Sequence, residues 1–166
     1  MRNFNRKHNE LRKVVVDTNI NKFADGACLI SFGDTKVICT ATVERNVPKW
    51  LQKTGEGWVT AEYNMLPTAT KERTTREVKL GKQSGRTMEI QRLIGRSLRS
   101  VINLKKLSNI QITIDCDVLQ ADGGTRTASI TGAFIALCIA VEKLINSGVL
   151  KQNPIFDKVA AISAGL

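Results

Sequence analysis

The segment that most restricts how this chain can fold runs from Ile110 to Ile145, where three signals follow one another without a break. Ile110, Ile112, Ile114, Cys116 and Val118 alternate with Gln111, Thr113, Asp115 and Asp117, the period of two that marks a strand with one buried face. Ala121-Asp122-Gly123-Gly124-Thr125-Arg126 interrupts that pattern, and Thr127 to Ile145 is then apolar on nearly all sides, as a helix enclosed in a core must be. A strand, a glycine turn and a buried helix in succession call for a layered domain with the helix lying on the sheet.

The turn has two readings. Two glycines let backbone amides crowd around a small anion, the helix directs its positive end at that anion, and Arg126 supplies a planar fork that matches phosphate. The simpler reading is a tight strand-to-helix turn with Thr125 or Thr127 as its N-cap. Asp115 and Asp117 project from the same strand face, where they are either metal or acid/base ligands or ordinary polar residues of an outer face.

Upstream, Ala27–Phe32 and Thr35–Val43 are β-rich runs joined by Gly33-Asp34, a two-residue hairpin signal. Trp58–Tyr63 reads as a further strand, and Asn64–Gly85, with Pro67 and no hydrophobic period, as an exposed, mobile loop. From Thr87 onward Ile90, Leu93, Ile94, Leu98 and Val101 recur at helical spacing, while Arg92, Arg96 and Arg99 fall on another face of that helix. Arg86 stands at its start, where a cation opposes the helix dipole and is better understood if it reaches an external anion. Lys158–Ser163 begins a last strand, and Val159–Leu166 has the character of a central strand left without a turn, so the domain is expected to be interrupted there.

Lys and Arg number 25 against 15 Asp and Glu, a formal charge of +10, which attracts a polyanion. From Lys71 to Lys106 there are 11 basic and three acidic residues, so this segment alone carries +8. It is either a solvated helix face with a basic loop or a nucleic-acid patch. Cys28, Cys39, Cys116 and Cys138 sit in apolar runs without Cys-x-x-Cys spacing, the signature of buried reduced thiols in a reducing compartment. Met1–Glu10 has no apolar core and is no secretory signal, and the Ala133–Val141 run is too short to span a bilayer. His8 is the only histidine, so no histidine-based mechanism is proposed.

Three blocks, Gly57-Trp58-Val59-Thr60-Ala61-Glu62-Tyr63, Gly85-Arg86-Thr87-Met88-Glu89-Ile90-Gln91-Arg92-Leu93-Ile94 and the run from Asp115 to Ala133 containing Ala121-Asp122-Gly123-Gly124-Thr125-Arg126-Thr127, stand in the order found in bacterial ribonuclease PH, and the chain resembles that family from about Arg12 to Leu166. The resemblance implies an α+β fold like the second domain of ribosomal protein S5, with residues 1–166 forming one partial domain. It also implies a hexameric ring built as a trimer of dimers. The activity implied is that of a phosphate-dependent nucleotidyltransferase in the cytoplasm, a 3′-5′ exoribonuclease: inorganic phosphate attacks the 3′-terminal phosphodiester of precursor tRNA and releases nucleoside diphosphates, and the same resemblance implies rRNA as a further substrate.

Matched position by position, Arg86, Gly124, Thr125 and Arg126 bind phosphate. Arg73 and Arg76 contact tRNA, Lys71 lies beside them, and Thr68 stands where arginine is usual. With Arg92, Arg96 and Arg99 these form the candidate RNA-binding set. The family's general acid and metal ligands, serving Mg²⁺, are expected beyond Leu166, so the chain as given is expected to be inactive. The alternative reading is a non-catalytic RNA-binding ring subunit of the exosome-core type.

Overall fold

A computed structural model describes residues 6–164. Five strands, β1 (Val14–Asp17), β2 (Gly26–Phe32), β3 (Thr35–Glu44), β4 (Trp58–Met65) and β5 (Gln111–Gln120), form one sheet in the order β1-β2-β3-β5-β4. Helices α1 (Gly85–Arg99) and α2 (Thr125–Asn146) complete it. All neighbours are antiparallel except β4 and β5, which α1 links as a parallel crossover. This is the α+β architecture expected from the sequence.

The hairpin forms where Gly33-Asp34 predicts it, with Gly33 at φ 59, the left-handed region that a two-residue hairpin turn demands. Alternation places Ile112, Ile114, Cys116 and Val118 of β5 and Val59, Ala61 and Tyr63 of β4 in the core. Ile90, Ile94 and Leu98 of α1 meet them, as the stripe predicts. Leu93 is only partly buried, and Val101 is buried just past the end of the helix.

α2 is long and apolar enough to cross a membrane by length and composition. Ala128, Ala133, Leu137 and Val141 nevertheless lie buried, and the helix packs along β2 and β3 as a core element. Gly26 and Gly132 allow that approach. A Cβ on Gly26 would run into the backbone carbonyl of Ala136, and one on Gly132 would lie 2.7 Å from Cys39 Sγ.

Cys28 faces Cys39 across β2 and β3, and Cys39 faces Cys116 across β3 and β5. All three are buried and free, as expected of reduced thiols, while Cys138 is half-buried. Hydrogen bonding to Cys39 and burial raise the Cys28 thiol far above its ordinary range, which keeps it protonated and inert.

Two expectations need correction. Residues 158–164 form no strand: Ala161 exchanges hydrogen bonds with the Thr131 hydroxyl of α2 at 3.0 and 3.3 Å, so the segment runs over the helix and not into the sheet. Its small apolar residues suit contact with α2 as well as they suit a strand, and periodicity cannot separate the two; Leu166 lies outside the described residues. The 64–85 stretch is also more anchored than its polarity suggests. Asn64 and Met65 continue β4, Pro67 and Ala69 are buried, Ala121 donates to the Ala69 carbonyl at 2.8 Å, and Glu77–Leu80 forms a 3-10 turn.

Candidate phosphate-binding site

The glycine turn is pinned from behind. The Thr35 hydroxyl, at the buried start of β3, donates to the Gly123 carbonyl at 2.6 Å and accepts from the Asp122 amide at 3.0 Å. Arg12 donates to the Asp122 carbonyl at 2.6 Å and lies 3.5 Å from the Asp122 carboxylate. Gly123 and Gly124 both adopt left-handed backbone, φ 80 and 72, a conformation in which a side chain would be strained.

The carbonyls of Asp122 and Gly123 are thus held from behind, while at the start of α2 the Ser163 hydroxyl lies 3.3 Å from that of Thr127. Gly124 is the N-cap and no side chain caps the helix. This overturns the threonine-cap reading, because both hydroxyls are engaged elsewhere. Thr127 donates to the Gly124 carbonyl at 2.9 Å, and Thr125 accepts from the Tyr63 hydroxyl at 2.9 Å. An uncapped helix start beside two glycines is a concentration of amide donors.

α1 brings the second cation. Ser84 is its N-cap, accepting from the Thr87 amide at 3.1 Å, and Arg86 lies exposed in the first turn. Glu89, three residues on and therefore on the same side of the helix, pairs with Arg126 of α2 at 3.0 Å. The Glu89–Arg126 pair thus links the first turns of the two helices, with Arg86 one turn before Glu89 on α1. Both positive charges also act on the phenol of Tyr63. Burial raises its pKa, while its hydrogen bond with Thr125 and the charges of Arg86 and Arg126 pull the other way. With the Glu89 and Arg126 side chains 49% and 40% exposed, their pair contributes little to stability, and the guanidinium keeps donors free for a ligand.

The structure places the remaining candidates as follows. Lys71, Arg73 and Arg76 are exposed on the segment that Ala69 ties to the glycine turn. Arg76 also lines a cleft of about 630 Å³ bounded by Glu62, Asp115, Asp117, Lys82 and Gln91. Thr68 is exposed nearby. Arg92 and Arg96 are exposed on α1. Arg99 does not join them: it turns inward, donates to the Val59 carbonyl at 2.8 Å and lies 4.5 Å from the Trp58 ring centroid. The expected shared arginine face therefore ends at Arg96, and desolvation followed by the charge of Arg96 lowers the pKa of Arg99.

Asp115 and Asp117 occupy the sheet face away from the helices, with Glu62 the register partner of Asp115. Desolvation raises the pKa of both, and the charges of Glu62 and Asp117 add to the shift at Asp115. Among the described residues no group of three or more His, Cys, Asp or Glu is placed to hold a metal ion.

Sequence reasoning missed Tyr63, Thr35, Arg12 and Glu89, which reach the site from four separate segments. Only the Gly57–Tyr63 and Gly85–Ile94 blocks hinted at two of them.

A helix-over-sheet domain with two arginine-bearing helix starts meeting at a glycine turn belongs to a recognisable class. Residues 10–141 match domain 1 of the 3′ exoribonuclease family, and the chain is a member of the ribonuclease PH family. It is 60% identical over 166 residues to the ribonuclease PH of Caulobacter vibrioides, covering all of this chain and 70% of that protein. The Bacillus velezensis ribonuclease PH is 58% identical over the whole chain, which spans 68% of its length. Among solved structures, rice (Oryza sativa) Rrp46 superposes with a TM-score of 0.68 at 18% identity, over 82% of this chain and 59% of that one. The Archaeoglobus fulgidus exosome with RNA bound to the active site gives 0.68 at 24% identity, over 80% and 53%. At those identities the two structures establish the shared fold.

Proposed function

We propose that this chain supplies the phosphate-binding half of a phosphorolytic 3′-5′ exoribonuclease that trims the 3′ end of precursor tRNA, with rRNA as a further substrate. The observation that supports this reading is the Glu89–Arg126 pair linking the first turn of α1, which carries Arg86, to the uncapped start of α2 at Gly124–Thr125, with the charges of both arginines acting on Tyr63. An orthophosphate seated there accepts from the turn amides and from both guanidinium groups. Its oxygen then attacks the phosphorus of the terminal phosphodiester. The bond to the preceding nucleotide's 3′ oxygen breaks, that oxygen leaves with a proton, and the terminal nucleotide departs as a nucleoside diphosphate.

Two anions must approach each other in this reaction, and the arginines offset their repulsion. Positioning and charge stabilisation therefore account for most of what the protein must do. In a family-length protein carrying this sequence, 3′-extended tRNA is expected to be shortened only when orthophosphate is present. The product is a nucleoside diphosphate; release of monophosphate at the same rate without orthophosphate would reject phosphorolysis.

Lys71, Arg73 and Arg76, exposed beside the turn, are placed to hold the RNA backbone. Replacing both Arg73 and Arg76 with alanine is expected to lower the salt slope of tRNA binding by about 1.4 to 1.8. A filter-binding titration in salt reads this directly, and an unchanged slope would remove these residues from the interface.

A non-catalytic exosome-type ring subunit is the weaker reading, because such a platform needs no phosphate pocket and this chain keeps Arg86 and Arg126. A hexameric ring is part of the proposal. Val14, Val15 and Val16 support it, exposed on the outer strand of the sheet where a neighbouring subunit can cover them. The free thiols fit a cytoplasmic setting.

A further inference from the structure

Tyr63 is the last buried side chain of β4, only 3% exposed, in a place where a phenylalanine ring would fill the same space. Its polar groups set it apart. The backbone amide donates to Gln91 Oε1 of α1 at 3.1 Å, and the phenol donates to Thr125 Oγ1 of α2 at 2.9 Å. Gln91 is steadied in turn by a reciprocal amide pair with Gln83 at 3.3 Å. One residue therefore bonds to both arginine-bearing helices, and the charges of Arg86 and Arg126 both reach its phenol.

The phenol decides what the Thr125 hydroxyl can do. A phenol is more acidic than an alkyl hydroxyl and is the natural donor of such a pair, so Thr125 Oγ1 accepts and its own proton needs another acceptor. Hydroxyls further along these helices return that proton to a carbonyl one turn back, as Ser97 does to Leu93 and Thr131 to Thr127. Thr125 is the first residue of α2, with the glycine turn and no helical turn before it. Among the described residues no acceptor meets its hydroxyl proton. A buried hydroxyl holding an unused proton is costly unless something accepts it. At an uncapped helix start next to Arg126, the acceptor that fits is an anion oxygen.

We infer that Tyr63 is a positioning residue for orthophosphate: held between α1 and α2, its phenol fills the acceptor side of Thr125 Oγ1 and so commits the threonine's proton to the bound anion. The inference rests on the reading that orthophosphate seats at the start of α2, and it adds a neutral hydroxyl donor to the arginines and amides already assigned there. Tyr63 itself does not touch the anion; its effect passes through Thr125.

That indirect route has a signature that packing alone would not produce. In calorimetric titrations of orthophosphate, Tyr63→Phe, which keeps the ring, and Thr125→Val, which keeps the shape, should each weaken binding about three- to ten-fold. The doubly substituted chain should bind no more weakly than Thr125→Val alone, since the phenol then has nothing to direct. The double variant also leaves neither hydroxyl buried without its partner, which keeps the comparison readable where a single variant melts early. Tyr63 is the sole tyrosine of the chain, so 3-fluorotyrosine gives one fluorine resonance, expected to move along the same saturation curve as orthophosphate is added. Three results would overturn the inference and leave the site standing: undiminished affinity in Tyr63→Phe, a full additional loss when Tyr63→Phe is added to Thr125→Val, or a fluorine resonance that stays in place while orthophosphate binds. A chain that binds no orthophosphate at all overturns the site and this inference with it.

Discussion

Arg126→Ala is expected to weaken orthophosphate binding by about 10- to 150-fold, the loss of a charge-assisted contact worth about 1.5 to 3 kcal/mol. The fold should barely notice. The Arg126 side chain is 40% exposed, and its partner Glu89 lies on the surface of α1, so removing their pair costs less than about 1 kcal/mol. Calorimetric titration of orthophosphate, run beside thermal unfolding of the same variant, separates the two effects. An unchanged phosphate affinity would take Arg126 out of the site. A large drop in unfolding temperature with proportionate loss of binding would make the arginine a structural residue.

Gly26→Ala should produce the largest change in stability of any single methyl group added to this chain. The new Cβ would press on the carbonyl of Ala136 and lie 2.8 Å from the Ala140 amide. Both are backbone atoms of α2 and cannot step aside as a flexible side chain can. Either α2 lifts from β2 or the strand shifts, at a cost of about 3 kcal/mol. Against a total stability of about 5 to 15 kcal/mol this is a large fraction, and it corresponds to a fall of roughly 6 to 12 °C in Tm. Gly85→Ala is the control: nothing lies within 4 Å of its Cβ and its backbone is not left-handed. It should shift stability by less than about 1 kcal/mol. Equal melting temperatures for the two variants would contradict the packing described for α2.

Strands and helices were legible in the sequence wherever a period and a breaker coincided. β5 alternates strictly and ends at a glycine pair, and β2 and β3 meet at Gly33-Asp34, so these elements could be drawn to within a residue or two. The stripe from Ile90 to Leu98 fixed α1 in the same way. Lys158–Ser163 misled because it is short and apolar without a period, and it is the hydroxyls of Thr131 and Thr127, some 30 or more positions earlier, that meet Ala161 and Ser163 on α2. Arg99 misled for a related reason. Its position on the helix is set by spacing, but its side chain follows the Val59 carbonyl and the Trp58 ring, which no local pattern foretells.

The candidate site was legible to the same degree. Arg86 and the Gly124–Arg126 run could be singled out because each sits at a helix start, a location where unpaired amides and a cation have chemical meaning. What could not be read was the convergence of the two starts. That depends on Thr35 and Arg12 holding the carbonyls of Asp122 and Gly123, on Tyr63 reaching Thr125, and on Glu89 meeting Arg126. Each of these contacts joins residues at least 37 positions apart.

The most direct trial is to follow the backbone amides by nuclear magnetic resonance while orthophosphate is added. If the anion seats where the two helices start, the amide protons of Gly124, Thr125, Arg126 and Thr127 shift together along one saturating curve, and Arg86→Ala moves that curve to higher concentration. Shifts scattered over the basic surface without saturation, or none in those four residues, would leave the pocket without its ligand.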